Sequence, residues 1–320
     1  MSLQRNQSMK ILVLGAGGIG GYFGGRLAQA GSDVTFLVRP RRREQIVQQG
    51  LRIESPHGDA TLQVKTVLAD DVRPGYDLVM FTCKAYDLDS AMDAVAPAMK
   101  VGCTLLPLLN GMAHFERLDE RFGRASVLGG TAHINATLRP DGVVVNGDPL
   151  HRIVYGERGG GRSPRIEALA SEFSKSIIDA KLSEDIEQDL WEKIVFLSAL
   201  AATTCLFRAN VGEINRSPGG REAMERAYHA NAAIAEREGR KPRAGAVKAA
   251  LERLTDASGN WSASMLRDLE AGGRVEADHI VGWMLERARR HRVDETILAL
   301  AYTHLKAYEA RRDAERLPPS

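Results

Sequence analysis

Residues Lys10 to Val38, KILVLGAGGIGGYFGGRLAQAGSDVTFLV, leave a chain like this few ways to fold. Ile11 to Leu14 is a short apolar run with the pattern of a buried strand, Tyr22 to Ala30 has the composition of a helix, and Val34 to Val38 resumes a strand. Between the first strand and the helix, Gly15-Ala16-Gly17-Gly18-Ile19-Gly20 fits G-x-G-x-x-G. In that context each glycine has a reason: the first permits a tight turn, the second lets a pyrophosphate approach the backbone, and the third lets the helix lie close to the strand. Free N–H groups and the positive end of the helix dipole then face the anion. The expectation is a Rossmann-type unit that binds a dinucleotide through Gly15, Gly17, Gly18, Ile19 and Gly20. The competing reading gives the glycines to packing alone.

The end of the second strand predicts which dinucleotide. Units that take NAD usually place Asp or Glu there to accept hydrogen bonds from the ribose hydroxyls. This chain has Val38-Arg39-Pro40-Arg41-Arg42-Arg43 instead. Planar guanidinium groups suit the oxygens of a 2′-phosphate, so the reading is NADP (NADPH), with Arg39 as the expected ligand. Arg42 and Arg43 are assigned to a solvated helix start.

At 320 residues and 44 % hydrophobic content, the chain is long enough for two domains with sizeable cores. With 43 lysines and arginines against 41 acids and a net charge of +2, charge makes no case for a nucleic-acid partner. No apolar run is read as approaching the roughly 18 residues that span a bilayer, and no apolar signal core opens the chain, so the expectation is a cytoplasmic protein without a membrane partner. Cys83, Cys103 and Cys205 lack C-x-x-C spacing, which suits a reducing compartment without structural zinc, and no metal site is expected. Met1 to Ser8 read as an extension and are excluded from the fold argument.

Farther along, Leu51 to Ile53 and Thr61 to Leu68 alternate like a hairpin and read as a peripheral insertion. Asp77 to Cys83 and Thr104 to Leu108 are buried strands with a helix between them, which implies parallel pairing. Ligands of such sheets sit beyond the carboxyl ends of the strands, where Lys84 and Asn110 fall. The bland alternatives are a solvated loop lysine and an Asn-Gly turn former. Strands at Val127 to Thr131, Ile134 to Leu138, Val143 to Val145 and Ile153 to Tyr155 are expected to add antiparallel strands to one edge of the sheet. From Asp185 onward only helical patterns recur. The division is therefore a dinucleotide-binding domain over 9–184 and an all-helical domain over 185–320.

A reductase also needs a group that protonates the oxygen on which charge develops as hydride arrives. Lys193, in Asp189-Leu190-Trp191-Glu192-Lys193-Ile194-Val195-Phe196, is a long cation among large apolar neighbours. Turned inward, it would lose affinity for its proton through desolvation; turned outward, it would be a snorkelling helix-edge lysine.

Together, the glycine turn with Arg39, Lys84, Leu-Asn110-Gly111, Trp191-x-Lys193, Ser264-Met265-x-x-Asp268 and Glu276-x-Asp278-x-x-x-Gly282 resemble the ketopantoate reductase family over nearly the whole chain. The resemblance implies NADPH-dependent reduction of 2-dehydropantoate to D-pantoate in pantothenate biosynthesis, with the active site between the two domains. It implies Lys193 as general acid with Glu276 beside it, Asn110 and Ser264 as substrate ligands, and Lys84 near the nicotinamide ribose, and it leans toward a homodimer. A second reading of Glu276 is an acid stabilising the positive end of a helix. Where the family's authentic ketopantoate reductases carry asparagines, this chain has Leu197, Ala201 and Val211, with Asn210 displaced by one and Asn260 only near its expected place. Thr204 returns to the Lys193 face at about 100° per residue and could restore one hydroxyl. Those departures leave two alternatives open, a paralogue acting on another 2-oxo acid and a regulatory NADP-binding protein without turnover.

Overall fold

The computed structural model describes residues 8–100 and 102–317, so the extension before Ser8 lies outside the described residues. The chain divides into two compact units. One holds residues up to Leu109 together with His114–Glu187, and the other holds Asn110–Ala113 and the residues from Gln188 on. A cut at 184/185 does not express this, because Asn110–Ala113 packs with the helices although it follows a strand of the first unit.

The first unit opens with β1 (Lys10–Leu14), α1 (Gly18–Gln29), β2 (Asp33–Leu37), α2 (Pro40–Gln49), β3 (Leu51–Glu54), β4 (Ala60–Leu62), β5 (Lys65–Val67), β6 (Leu78–Phe81), α3 (Leu88–Val95) and β7 (Thr104–Pro107). It continues with α4 (His114–Phe122), β8 (Gly129–Leu138), β9 (Val143–Gly156), α5 (Pro164–Phe173) and β10 (Asp179–Leu182). Five strands form a parallel sheet in the order β5-β2-β1-β6-β7. Strands β6 and β7 are buried at every position, as a parallel sheet covered on both faces requires.

The remaining five strands correct the expectation of antiparallel strands added to that sheet. β9 pairs antiparallel with β8, and parallel with both β3 and β10, in a separate second sheet. Nor is β3 peripheral: Leu51 and Ile53 are buried in the unit's core. The segment read as one returning strand, Thr61 to Leu68, is divided, with β4 pairing to β3 and β5 joining the parallel sheet beside β2.

Helix α1 lies between the two sheets, which explains its glycines. A side chain at Gly24 would strike Phe36 and Val13 of the parallel sheet, and one at Gly25 would strike Ile53 and Leu51 of the other. Removing Cβ on two sides lets the helix approach both layers, and Tyr22, Phe23 and Leu27 fill the space that remains.

Among the described residues the second unit has helices only: α6 (Ile186–Phe207, its first two residues counted with the first unit), α7 (Val211–Arg216), α8 (Gly220–Arg237), α9 (Ala244–Leu254), α10 (Ser264–Glu270), α11 (Trp283–His291) and α12 (Thr296–Asp313). Helices α7 and α10 are too short to show in the periodicity of the sequence. Asn210 caps α7: its side chain accepts from Glu213 N while Glu213 reaches back to Asn210 N. Helix α6 corrects the statement about membrane spans, because its 22 residues are long and apolar enough to cross a bilayer. Most of that length is buried in the folded chain, where Val195, Ala199, Ala202 and Cys205 are fully enclosed in the helical core.

Candidate active site

The glycine turn is built as its spacing predicts. Gly15 has φ +89°, a conformation that favours glycine. A Cβ on Gly18 would lie 2.5 Å from the carbonyl oxygen of Ala136 in β8, and one on Gly20 would collide with the Gly15 carbonyl and with Thr82. A Cβ on Gly17 would meet nothing within 4 Å. That open position faces the start of α1, which has no side-chain cap and no acid in its first turn. Its leading N–H groups and dipole therefore favour an anion, and the residues present fit a dinucleotide pyrophosphate. Ile19 packs its side chain against the core beneath the turn. Thr82, which carries no motif signal in the sequence, donates to the Leu14 carbonyl at 2.6 Å and so ties β6 to the strand that feeds the turn.

Beyond β2, Arg39 occupies the N-cap position of α2, with Pro40 as the first helical residue. Its side chain is 80 % exposed and donates to Asp87 at 2.8 Å. Lys84 is half-buried and precedes a single helical turn, Ala85–Asp87, whose last amide donates to the Lys84 carbonyl at 2.9 Å. This turn carries Asp87 to Arg39, a partnership without any local sequence signal. Arg42 is not the solvated arginine expected: its Nε donates to the Ala16 carbonyl at 3.1 Å and its Nη1 to the Gly142 carbonyl at 2.9 Å.

In the helical unit, Lys193 Nζ donates to Asn110 Oδ1 at 3.2 Å, joining residues 83 positions apart. Burial brings the ammonium pKa down to about 8, against an opposing pull from the negative charge of Glu276. The lysine is therefore not a freely solvated helix-edge cation. Gly111 explains how Asn110 is held. Its φ is +84°, and a Cβ there would stand 2.7 Å from the carbonyl of His279, so only glycine lets this turn press against the helical segment that follows Glu276. That segment, Asp278–Gly282, is a wide π turn running into α11. Glu276 is itself buried, and its carbonyl accepts from Ile280 N at 3.2 Å.

Lys193, Asn110 and Glu276 thus converge within one unit. Ser264 is half-buried at the start of α10 and is not hydrogen-bonded to any of the three. Thr204 cannot restore a hydroxyl to the Lys193 face, because it is fully buried and donates to the Leu200 carbonyl at 2.7 Å. Ala201 and Val211 are also fully buried, while Leu197 is half-buried. Among the described residues, no group of His, Cys, Asp or Glu side chains could hold a metal ion.

Comparison with known proteins bears on the whole chain. Residues 11–160 match the family described as Ketopantoate reductase PanE/ApbA, and residues 185–309 match its C-terminal counterpart. The chain is 36 % identical to the uncharacterized oxidoreductase YkpB of Bacillus subtilis, over 95 % of this chain and 100 % of that one. It is 29 % identical to the 2-dehydropantoate 2-reductase of Halobacterium salinarum, over 88 % of this chain and 93 % of that one. The crystal structure of 2-dehydropantoate 2-reductase from Geobacter metallireducens superposes with a TM-score of 0.84 at 29 % identity, covering 93 % of this chain and 99 % of that one. With both of its halves matched in order and a parallel-sheet unit followed by a helical one, the chain belongs to the ketopantoate reductase family of oxidoreductases.

Proposed function

We propose that this protein is an NADPH-dependent 2-oxo acid reductase that converts 2-dehydropantoate to D-pantoate in pantothenate biosynthesis, with Lys193 as the general acid. The observation that carries this reading is the amine of Lys193, held at 3.2 Å from Asn110 and brought by burial to a pKa of about 8, where it can both carry and surrender a proton near neutral pH. Bound NADPH would supply the hydride. The chain's own residues do the rest. Lys193 donates its proton to the carbonyl oxygen as charge gathers there, Asn110 keeps the ammonium aimed, and Glu276 favours its charged form. Asn110 and Ser264 would hold the substrate's polar groups, the Gly15 to Gly20 turn and the start of α1 would hold the pyrophosphate, Arg39 would take the 2′-phosphate, and Lys84 would serve the nicotinamide ribose.

A second reading is favoured by one observation. Leu197 and Ala201 lie on the turns of α6 that follow Lys193, and the Thr204 hydroxyl is committed to its own helix. A substrate hydroxyl projecting along that face would find no partner there, so a 2-oxo acid with an apolar chain fits it better. The experiment is NADPH consumption with 2-dehydropantoate and a panel of aliphatic and aromatic 2-oxo acids. Highest kcat/KM for 2-dehydropantoate supports the first reading, and highest kcat/KM for an apolar acid supports the second. Tight NADPH binding without turnover of any acid would overturn both in favour of a binding protein.

A further inference from the structure

Of the four arginines that follow β2, one behaves unlike the others. Arg39, Arg41 and Arg43 are exposed, whereas Arg42 is half-buried and turned back from the first turn of α2 toward the glycine turn. Its guanidinium spans two backbone segments: Nε donates to the Ala16 carbonyl, and Nη1 donates to the Gly142 carbonyl and to Gln45 at 2.6 Å. Its Nη2 is enclosed and has no hydrogen-bond partner among the described residues. Enclosing part of an ionised group in this way is costly. Burial, with Arg52 nearby, also lowers the pKa of Arg42 below the usual arginine range.

The contact with Ala16 has a direct consequence for the turn. A peptide unit is planar and trans, so the Ala16 carbonyl and the Gly17 N–H point in opposite directions. A donor that fixes the carbonyl therefore fixes that N–H, at the residue where an added Cβ meets nothing within 4 Å. Gly142 lies in the turn between β8 and β9, and the same hairpin supplies the Ala136 carbonyl against which Gly18 packs. The hairpin of the second sheet thus braces the glycine turn at two points, and Arg42 is one of them.

We infer that Arg42 is a positioning residue for the dinucleotide, which sets the Ala16–Gly17 peptide against the β8–β9 hairpin and takes no part in recognising the 2′-phosphate. The inference rests on the dinucleotide reading of the glycine turn. Within the arginine cluster the roles then differ, since Arg39 discriminates between dinucleotides while Arg42 holds the surface that any of them must meet. A lysine cannot replace it fully, because a single ammonium has no planar fork to join two carbonyls at once.

The test uses the full chain as wild type, R42A, R42K and R39A, with NADPH and NADH titrated by their own fluorescence and melting temperatures taken without cofactor. The expected result for R42A is a rise of about tenfold or more in Kd for both dinucleotides, the size of a lost charge-assisted hydrogen bond, with their ratio unchanged. R42K is expected to give a smaller rise with the same unchanged ratio, and it decides the matter should R42A fail to fold. R39A is expected to weaken NADPH alone. A loss confined to NADPH in the Arg42 variants would overturn the inference by making Arg42 a phosphate ligand. A lower melting temperature with both Kd values unchanged would overturn it by leaving Arg42 a purely structural role. Wild type that binds neither dinucleotide would overturn the underlying reading itself.

Discussion

The two units build their functional surfaces from different materials. In the glycine-rich unit the surface is backbone: a turn with one residue at positive φ, a helix start without a cap, and carbonyls held in place by Thr82 and Arg42. In the helical unit it is side chains, with an amine from α6, an amide from the turn after β7 and a carboxylate from before α11. Backbone chemistry is set by contiguous residues and tolerates little variation, because a Cβ in the wrong place collides. A side-chain cluster can keep its scaffold while one member changes, so it is where specificity can drift.

On that contrast, the largest effect comes from the helical unit. Lys193→Ala is expected to lower kcat by about 10²- to 10⁴-fold, the usual contribution of a general acid, while Kd for NADPH stays within a factor of two or so. Stopped-flow reduction beside a fluorescence titration separates the two quantities. Were cofactor affinity to fall equally, the division of labour between the units would be wrong.

Next in size is Arg39→Ala, which is expected to raise Kd for NADPH by about 10- to 100-fold, in line with hydrogen bonds to a charged group, and to leave NADH unaffected. Equilibrium titration of both dinucleotides reads the ratio directly.

The pH profile sharpens the comparison from the other side. Lys193 must be protonated to donate, so the reduction rate is expected to be high below pH 8 and to fall about tenfold per unit above it, following a pKa of about 8. Glu276 raises that pKa, so Glu276→Gln should move the inflection downward. An unmoved inflection with a raised KM would mean that the carboxylate acts on the substrate rather than on the lysine.

The smallest effect is expected at Asp87→Asn. The Arg39–Asp87 pair is an exposed ion pair at 2.8 Å, and such pairs contribute about 0–1 kcal/mol. Freeing Arg39 should tighten NADPH by no more than about fivefold and leave NADH unchanged. Weaker NADPH binding would show instead that Asp87 orients Arg39 for the phosphate.

Much of this is legible in the residues alone. The strand, turn and helix of Lys10 to Gln29 follow from apolar runs and glycine spacing, and the change to helices near Asp185 follows from the loss of alternation. Other features escape for identifiable reasons. Strand alternation does not say which partner a strand chooses, so β8 and β9 read as additions to the edge of the first sheet, and β3 as part of a peripheral hairpin, when all three form a second sheet. The apolar character of α6 suits both a core helix and a span of bilayer length, and only its burial tells them apart. Thr204 lies on the right face by periodicity, but a hydroxyl inside a helix has a backbone carbonyl one turn back within reach and takes it. Arg42 and Arg43 look alike in sequence, yet one is drawn onto the glycine turn and the other left exposed.

By itself, the order of residues determined the glycine turn and the class of each half. Both depend on local chemistry: which positions lack a Cβ and which runs are apolar. Tertiary structure decided which distant groups meet, as when Asn110 accepts a hydrogen bond from Lys193 across 83 residues and the Gly142 carbonyl accepts one from Arg42 across 100. Such pairs leave no periodic trace, because a hydrogen bond depends on a few ångströms of space and is indifferent to the length of chain between its ends.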